Sequence, residues 1–231
     1  MVAIPHPTLA IPPLDNGDHL SRAEFERRYQ AMPHLKKAEL IEGVVYMASP
    51  LRIKSHGEPH GRLITWLGTY NAYTPGILLG VEPTVRLDPD NEPQPDAVLF
   101  IPGQQASISE DDYIEGPPEL VVEVAASSVS LDLHDKKRAY RRSGVREYIV
   151  WRTLEGQVDW FRLEADDYVP QVPDADGILR STVFPGLWLS LPALVSGDLA
   201  LVLSVLQQGV QTPEHQAFLD QLIKQSVTPT G

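Results

Sequence analysis

Leu120-Val121-Val122-Glu123-Val124-Ala125 is an apolar run interrupted by one carboxylate. Such a run suits a strand at the centre of a sheet, buried on both faces. A helix is predicted to follow from about Val129 to Arg142, with Gly144 in the position that commonly closes a helix. Glu147 to Trp151 then reads as another strand. Strand, helix and strand in this order give a mixed sheet with a helix crossing between its key strands. The fold class is therefore α/β or α+β.

Working outward, Asp96 to Ile101 and Ile77 to Leu87 read as extended segments upstream, and Gln157 to Leu163 as one downstream. Glu39-Leu40-Ile41-Glu42-Gly43-Val44-Val45-Tyr46-Met47 reads as two strands about a Glu-Gly turn. Ser21 and Glu24 have capping-box spacing, so a short helix is expected up to about Ala31, before Pro33. A longer helix is expected over Glu58 to Tyr70, with Leu63, Ile64, Trp66 and Leu67 on its buried side. Val183 to Leu189 is expected as a late strand, then helices near Ala193–Gln207 and Pro213–Gln225. The expected organisation is an irregular arm over 1–19, one domain over 20–190, and a helical extension over 191–231.

Two acids stand where burial should exclude them. Asp96 opens an apolar segment directly after Pro95, and Glu123 lies between two valines. Removing an ionised carboxylate from water costs several kcal/mol (~) unless it is paired or bound to a cation. Carboxylates on neighbouring strands can converge on one hard cation, and the Val124 carbonyl is a further oxygen donor. Lys136 lies on the helix leaving the Glu123 strand, and Asp132, Lys136 and Tyr140 share a face of it by their spacing of four. A lysine there could hold or deprotonate a water beside the metal. That set suits phosphodiester hydrolysis, in which a cation polarises the phosphoryl oxygen and an activated water attacks in line.

The segments Glu39-Leu40-Ile41-Glu42-Gly43, Gln94-Pro95-Asp96, Glu119-Leu120-Val121-Val122-Glu123-Val124, Asp132-Leu133-His134-Asp135-Lys136 and Gly144-Val145-Arg146-Glu147-Tyr148 together resemble the Uma-type restriction endonuclease family. This family is a branch of the PD-(D/E)XK nuclease superfamily, and the resemblance covers roughly 20–190. It implies a restriction-endonuclease-like mixed β-sheet core flanked by helices. It further implies that Asp96 and Glu123 bind Mg2+ or Mn2+, that Lys136 is the active-site lysine displaced onto the helix, and that Glu39 is the upstream acid. His56 matches a histidine that precedes the long helix in relatives. The implied activity is metal-dependent endonucleolytic cleavage of DNA. The sequence departs from the pattern in Ala125, in the Ala125-Ala126-Ser127-Ser128 turn, and in Trp151-Arg152.

Other readings stand beside these. Asp96 can cap a turn after Pro95. Glu123 can pair with Arg138 as a structural ion pair, and Lys136 can be a solvated member of the Lys136-Lys137-Arg138 run. His56 and His60 flank Glu58, which is not the zinc-protease order. Pro59 also argues against one helix through both histidines, so no zinc site is expected and His60 reads as a surface residue. Lys36, Lys37, Arg52, Lys54, Arg62 and the 136–142 run are candidates for a basic surface.

Composition bounds the rest. The chain has 231 residues, 42% hydrophobic, and no cysteine, so thiolate metal sites and cysteine nucleophiles are excluded. The first fifteen residues lack Lys and Arg and carry four prolines, unlike a signal peptide. A cytoplasmic, non-membrane protein is expected; the resemblance implies DNA as its partner, and analogy with nucleases that cut both strands implies a homodimer, with the apolar C-terminal helices as its interface. The net charge of −12 opposes a long nucleic-acid-binding tract and leaves an alternative. That alternative is a regulatory or binding protein on a nuclease scaffold, with weak or no catalysis.

Overall fold

The structure, a computed structural model, describes residues 11–48 and 50–227. The first ten residues of the expected arm therefore lie outside the described residues. The remainder of the arm lacks regular structure and is tied to the first hairpin, where Gly17 N–H donates to the Val45 carbonyl at 2.8 Å.

Helix α1 (Arg22–Gln30) leads into strands β1 (Ala38–Ile41) and β2 (Val44–Met47). Glu42 and Gly43 both have positive φ, 52° and 74°. That pair of left-handed residues is the turn whose twist matches a two-residue hairpin. The capping box does not form: Ser21 precedes the helix without a side-chain bond, because Glu24 is occupied by Arg27 and Arg28.

Helix α2 (Glu58–Tyr73) begins directly after a π turn over Ile53–Gly57. Pro59 does not break this run, contrary to the sequence expectation. It occupies the first turn of α2, where its missing N–H leaves no bond unmade.

The six-stranded sheet follows chain order: β3 (Leu78–Val81), β4 (Ala97–Phe100), β5 (Leu120–Ala125), β6 (Glu147–Arg152), β7 (Gln157–Glu164) and β8 (Asp167–Pro170). All neighbours are antiparallel except β5 and β6, which run parallel. A parallel pair needs a crossover, and the helical segment over 129–143 supplies it. This segment is not one uniform helix. Its middle, Asp132–Lys136, is a π turn, followed by helix α3 (Lys137–Ser143). Gly144 closes α3 in the left-handed conformation, as its position in the sequence predicts.

Strand alternation separates two cores. Leu120, Val122 and Val124 face Leu63, Trp66 and Leu67 of α2, with Leu194, Val202 and Leu206 from the C-terminal helices. Val121 and Ala125 face the opposite side, with Tyr140 and Tyr148. Glu123 shares the parity of Val121 and Ala125, so the pleat directs it beneath the crossover. Each fully buried large apolar side chain contributes roughly 1.5–3 kcal/mol.

The late strand is displaced from the expected position. Trp188–Ser190 pairs with Ile178–Arg180, while Pro185 and Gly186 (φ 88°) turn the chain before it. The C-terminal region forms three helices, because Gly197 ends Leu191–Ser196 and Asp198 caps Leu199–Val210, accepting from Leu201 N–H. The last helix is Pro213–Val227. Among the described residues no helix is long and apolar enough to cross a membrane.

Candidate active site

A cleft of about 1030 Å³ opens over the ends of β4 and β5. Glu39, Asp96, Glu123, Asp132 and Lys136 all line it, yet each is at most 8% exposed. Three parts of the chain deliver them. The β1–β2 hairpin brings Glu39, the antiparallel β4–β5 pair brings Asp96 and Glu123, and the crossover brings Asp132 and Lys136.

Lys136 Nζ lies 2.8 Å from Glu39 Oε1, 3.0 Å from Glu123 Oε1 and 3.7 Å from Asp132 Oδ1. Burial opposes its charge, but Glu123, Glu39 and Asp132 outweigh burial and hold its pKa well above the ordinary lysine value. With these three acids around it, Lys136 is held as an ammonium, a hydrogen-bond donor. Of the two roles open in the sequence, holding a water or deprotonating it, an ammonium favours the first.

Glu123 is paired with Lys136, not with Arg138, which instead meets Asp135 and Glu42. Tyr140 Oη also donates to Glu123 Oε1, at 3.0 Å. Both donors therefore use the same carboxylate oxygen. Burial raises the Glu123 pKa to about 8; Lys136 counteracts this, while Asp132, Asp96 and Glu39 reinforce it.

Asp96 is held differently. Its Oδ2 accepts from Val124 N–H at 2.6 Å, and its Oδ1 lies 3.3 Å from His56 Nε2. Burial raises its pKa, but His56 and the Val124 amide lower it further, leaving the acid below its usual range. His56 Nδ1 donates to the Val124 carbonyl at 3.1 Å. The Asp96 carboxylate beside it raises the His56 pKa against the effect of burial. The geometry to Asp96 is nevertheless poorly aligned, and Nε2 makes no satisfactory hydrogen bond among the described residues.

A divalent cation fits this donor set. Four buried carboxylates, those of Glu39, Asp96, Glu123 and Asp132, stand around Lys136 and His56, and burial raises the pKa of Glu123 and Asp132, a cost that a bound cation would offset. Asp96, Glu123 and the Val124 carbonyl offer oxygen only, the donor class that Mg2+ and Mn2+ favour.

The basic surface is narrower than the sequence suggested. Lys36, Lys37 and Arg52 line the cleft, and Lys54 lies exposed in the adjoining π turn. Arg62 pairs with Glu58 and reaches the Leu194 carbonyl, while Arg142 pairs with Glu42. Lys137 lies 3.5 Å from the centre of the Phe161 ring. Beyond Lys136, this run is committed to structural contacts.

Asp132 and Tyr140 received no individual role from the sequence, although their spacing from Lys136 placed all three on one face. His60 also departs from expectation. It is partly buried rather than a surface residue, with Nε2 3.1 Å from the Asp96 carbonyl. A second depression, of about 650 Å³, lies away from these acids, and its Arg152 and Asp159 are paired with each other.

Comparison with known proteins agrees with this architecture. Residues 22–192 match the model of the Uma2 family, described as "Putative restriction endonuclease". A crystal structure of a "putative nuclease" from Anabaena variabilis superposes with a TM-score of 0.56 at 16% identity, covering 74% of this chain and 96% of that one. That likeness establishes the shared fold. No curated protein matches the chain.

Proposed function

Because the chain belongs to the Uma2 family of putative restriction endonucleases, we propose that it is a divalent-metal-dependent endonuclease hydrolysing phosphodiester bonds in DNA. Asp96, Glu123 and the Val124 carbonyl would hold Mg2+ or Mn2+. When bound, the cation would polarise the phosphoryl oxygen and favour ionisation of a nearby water. The observation carrying this reading is the convergence of Asp96, Glu123 and the Val124 carbonyl, oxygen donors from two adjacent strands, on one open cleft.

The chain's own groups divide the remaining work. Lys136 positions water and stabilises negative charge developing on the phosphoryl group. Glu39 and Tyr140 are positioning residues, the first holding the Lys136 ammonium and the second fixing the Glu123 carboxylate. His56 is an auxiliary group at the Asp96 side. Lys36, Lys37 and Arg52 on the rim meet the DNA backbone, which reconciles a net charge of −12 with a nucleic-acid substrate. Hydrolysis joins the water oxygen to phosphorus and breaks one ester P–O bond, and the leaving alkoxide takes up a proton.

A homodimer is part of this proposal, because cutting both strands is served by two copies. Val195 and Leu201 on the C-terminal helices expose apolar surface suited to such contact. Cytoplasmic residence follows from the proposed substrate. Purified protein with Mg2+ or Mn2+ should nick plasmid DNA, and Asp96→Ala should not. Equal cleavage by both proteins would reject the assignment.

A further inference from the structure

We infer that His56, His60 and Glu82 form a second metal site, one for a borderline transition-metal dication such as Zn2+ or Co2+. One donor atom from each residue lies within 4.8 Å of the others. The set contains two imidazoles and a carboxylate, unlike the oxygen-only set at Asp96 and Glu123. Imidazole selects zinc, cobalt or nickel over magnesium, so the two sites differ in chemical class.

Local structure explains why the three residues meet. The π turn over Ile53–Gly57 runs directly into α2, so His56 and His60 follow one another along a continuous helical path. Their ring centroids are 5.7 Å apart. Glu82 follows β3 with a left-handed backbone, φ 51°, and its N–H donates to the Asp96 carbonyl at 3.1 Å. The same carbonyl receives His60 Nε2, so one backbone oxygen anchors both the histidine and the glutamate.

Hydrogen-bond roles favour a metal. His56 donates its Nδ1 hydrogen to the Val124 carbonyl, and this fixes the tautomer in which Nε2 can carry the free lone pair. Nε2 is buried and makes no satisfactory hydrogen bond among the described residues. A cation would satisfy it. The Asp96 carbonyl remains met by the Glu82 N–H if His60 releases it to bind an ion. A tetrahedral ion with bonds of about 2.0 Å sets its ligands about 3.3 Å apart, so binding would draw these three donors, now within 4.8 Å of one another, closer together. Glu82 is exposed and lines the cleft, which gives an ion a route inward.

The inference stands whether or not Asp96 and Glu123 support catalysis, and its test uses no cleavage assay. The full chain would be titrated with Co2+ in excess Mg2+, following visible d–d absorption, and with Zn2+ by calorimetry. One equivalent should bind with the absorption of a nitrogen-containing, low-coordinate site. His60→Gln and Glu82→Gln should each weaken binding about tenfold or more, and Glu123→Gln should leave it intact. Circular dichroism of Glu82→Gln, altered at an exposed position, controls for folding. Absence of binding, or wild-type affinity in both His60→Gln and Glu82→Gln, would overturn the site. Loss in Glu123→Gln alone would do so as well, by placing the ion among the acids.

Discussion

The Lys136 ammonium lies 2.8 Å from the Glu39 carboxylate, an ion pair joining the first hairpin of the chain to the crossover between the two parallel strands. Neither residue could reach its partner through local structure. The pair assembles only when the hairpin packs against the crossover, so the acidic cluster depends on tertiary structure.

Lys136→Met should therefore act twice. Removing the ammonium leaves Glu39, Glu123 and Asp132 buried together without their shared cation. Breaking a buried pair in this way costs about 3–5 kcal/mol. Urea unfolding should show that loss, and nicking should fall below detection. Glu39→Gln, which keeps a polar group and leaves Lys136 with Glu123 and Asp132, should cost less stability than Lys136→Met. A Lys136→Met protein as stable as wild type would mean that Lys136 does not neutralise the cluster.

Metal should stabilise the folded chain through the same acids. An ion that binds only the native state adds about 2.7 kcal/mol at one hundred times its dissociation constant. Mn2+ or Mg2+ should raise the melting temperature of the wild type. Glu123→Gln and Asp96→Asn should lose most of that increment. A melting temperature indifferent to both ions would remove the proposed centre and leave the scaffold reading.

The central part of this arrangement was legible in sequence because β5 and its crossover are local. A carboxylate within Leu120–Ala125 is conspicuous, and a spacing of four links Asp132, Lys136 and Tyr140. Pleat parity then explains how Glu123 meets them. What sequence could not supply was depth and phase. The spacing gives Asp132 only a shared face with Lys136, whereas the π turn over Asp132–Lys136 places it 2% exposed at the cluster. His60 looked superficial because Pro59 seemed to forbid a helix, whereas the preceding π turn makes Pro59 a first-turn residue. Most of the basic run after Lys136 is claimed by partners distant in sequence, Glu42, Phe161 and Asp167 among them, and such tertiary pairing leaves no periodic trace.

Glu92 gives a pH dependence separate from the cleft acids. Burial, reinforced by Glu26 and opposed by Arg86 and Arg22, raises its pKa to about 8 from 4.5. The folded state thus retains a proton that the unfolded chain releases. Stability attributable to Glu92 is full below pH 4.5 and declines as pH rises toward 8, by roughly 2–4 kcal/mol at most. Glu92→Gln should flatten the fall in urea midpoint between pH 5 and pH 8.5. An unchanged slope would show that Glu92 ionises freely in the fold.

Gly144 offers the sharpest test of the crossover itself. Its φ of 90° lets its own N–H bond the Arg141 carbonyl at 3.1 Å and the Val145 N–H bond the Tyr140 carbonyl at 3.0 Å. Those bonds satisfy carbonyls that the end of α3 would otherwise leave open. A Cβ on Gly144 would meet nothing nearer than Gln105 Nε2 at 3.7 Å, so alanine introduces backbone strain without a clash. Gly144→Ala should lose about 1–2 kcal/mol, whereas Gly144→Asn, better suited to the left-handed region, should lose less. Because Lys136 and Tyr140 lie upstream of the cap and are fixed by their own contacts, nicking by folded Gly144→Ala should match wild type. A stable protein with impaired nicking would show instead that the cap positions Lys136 directly.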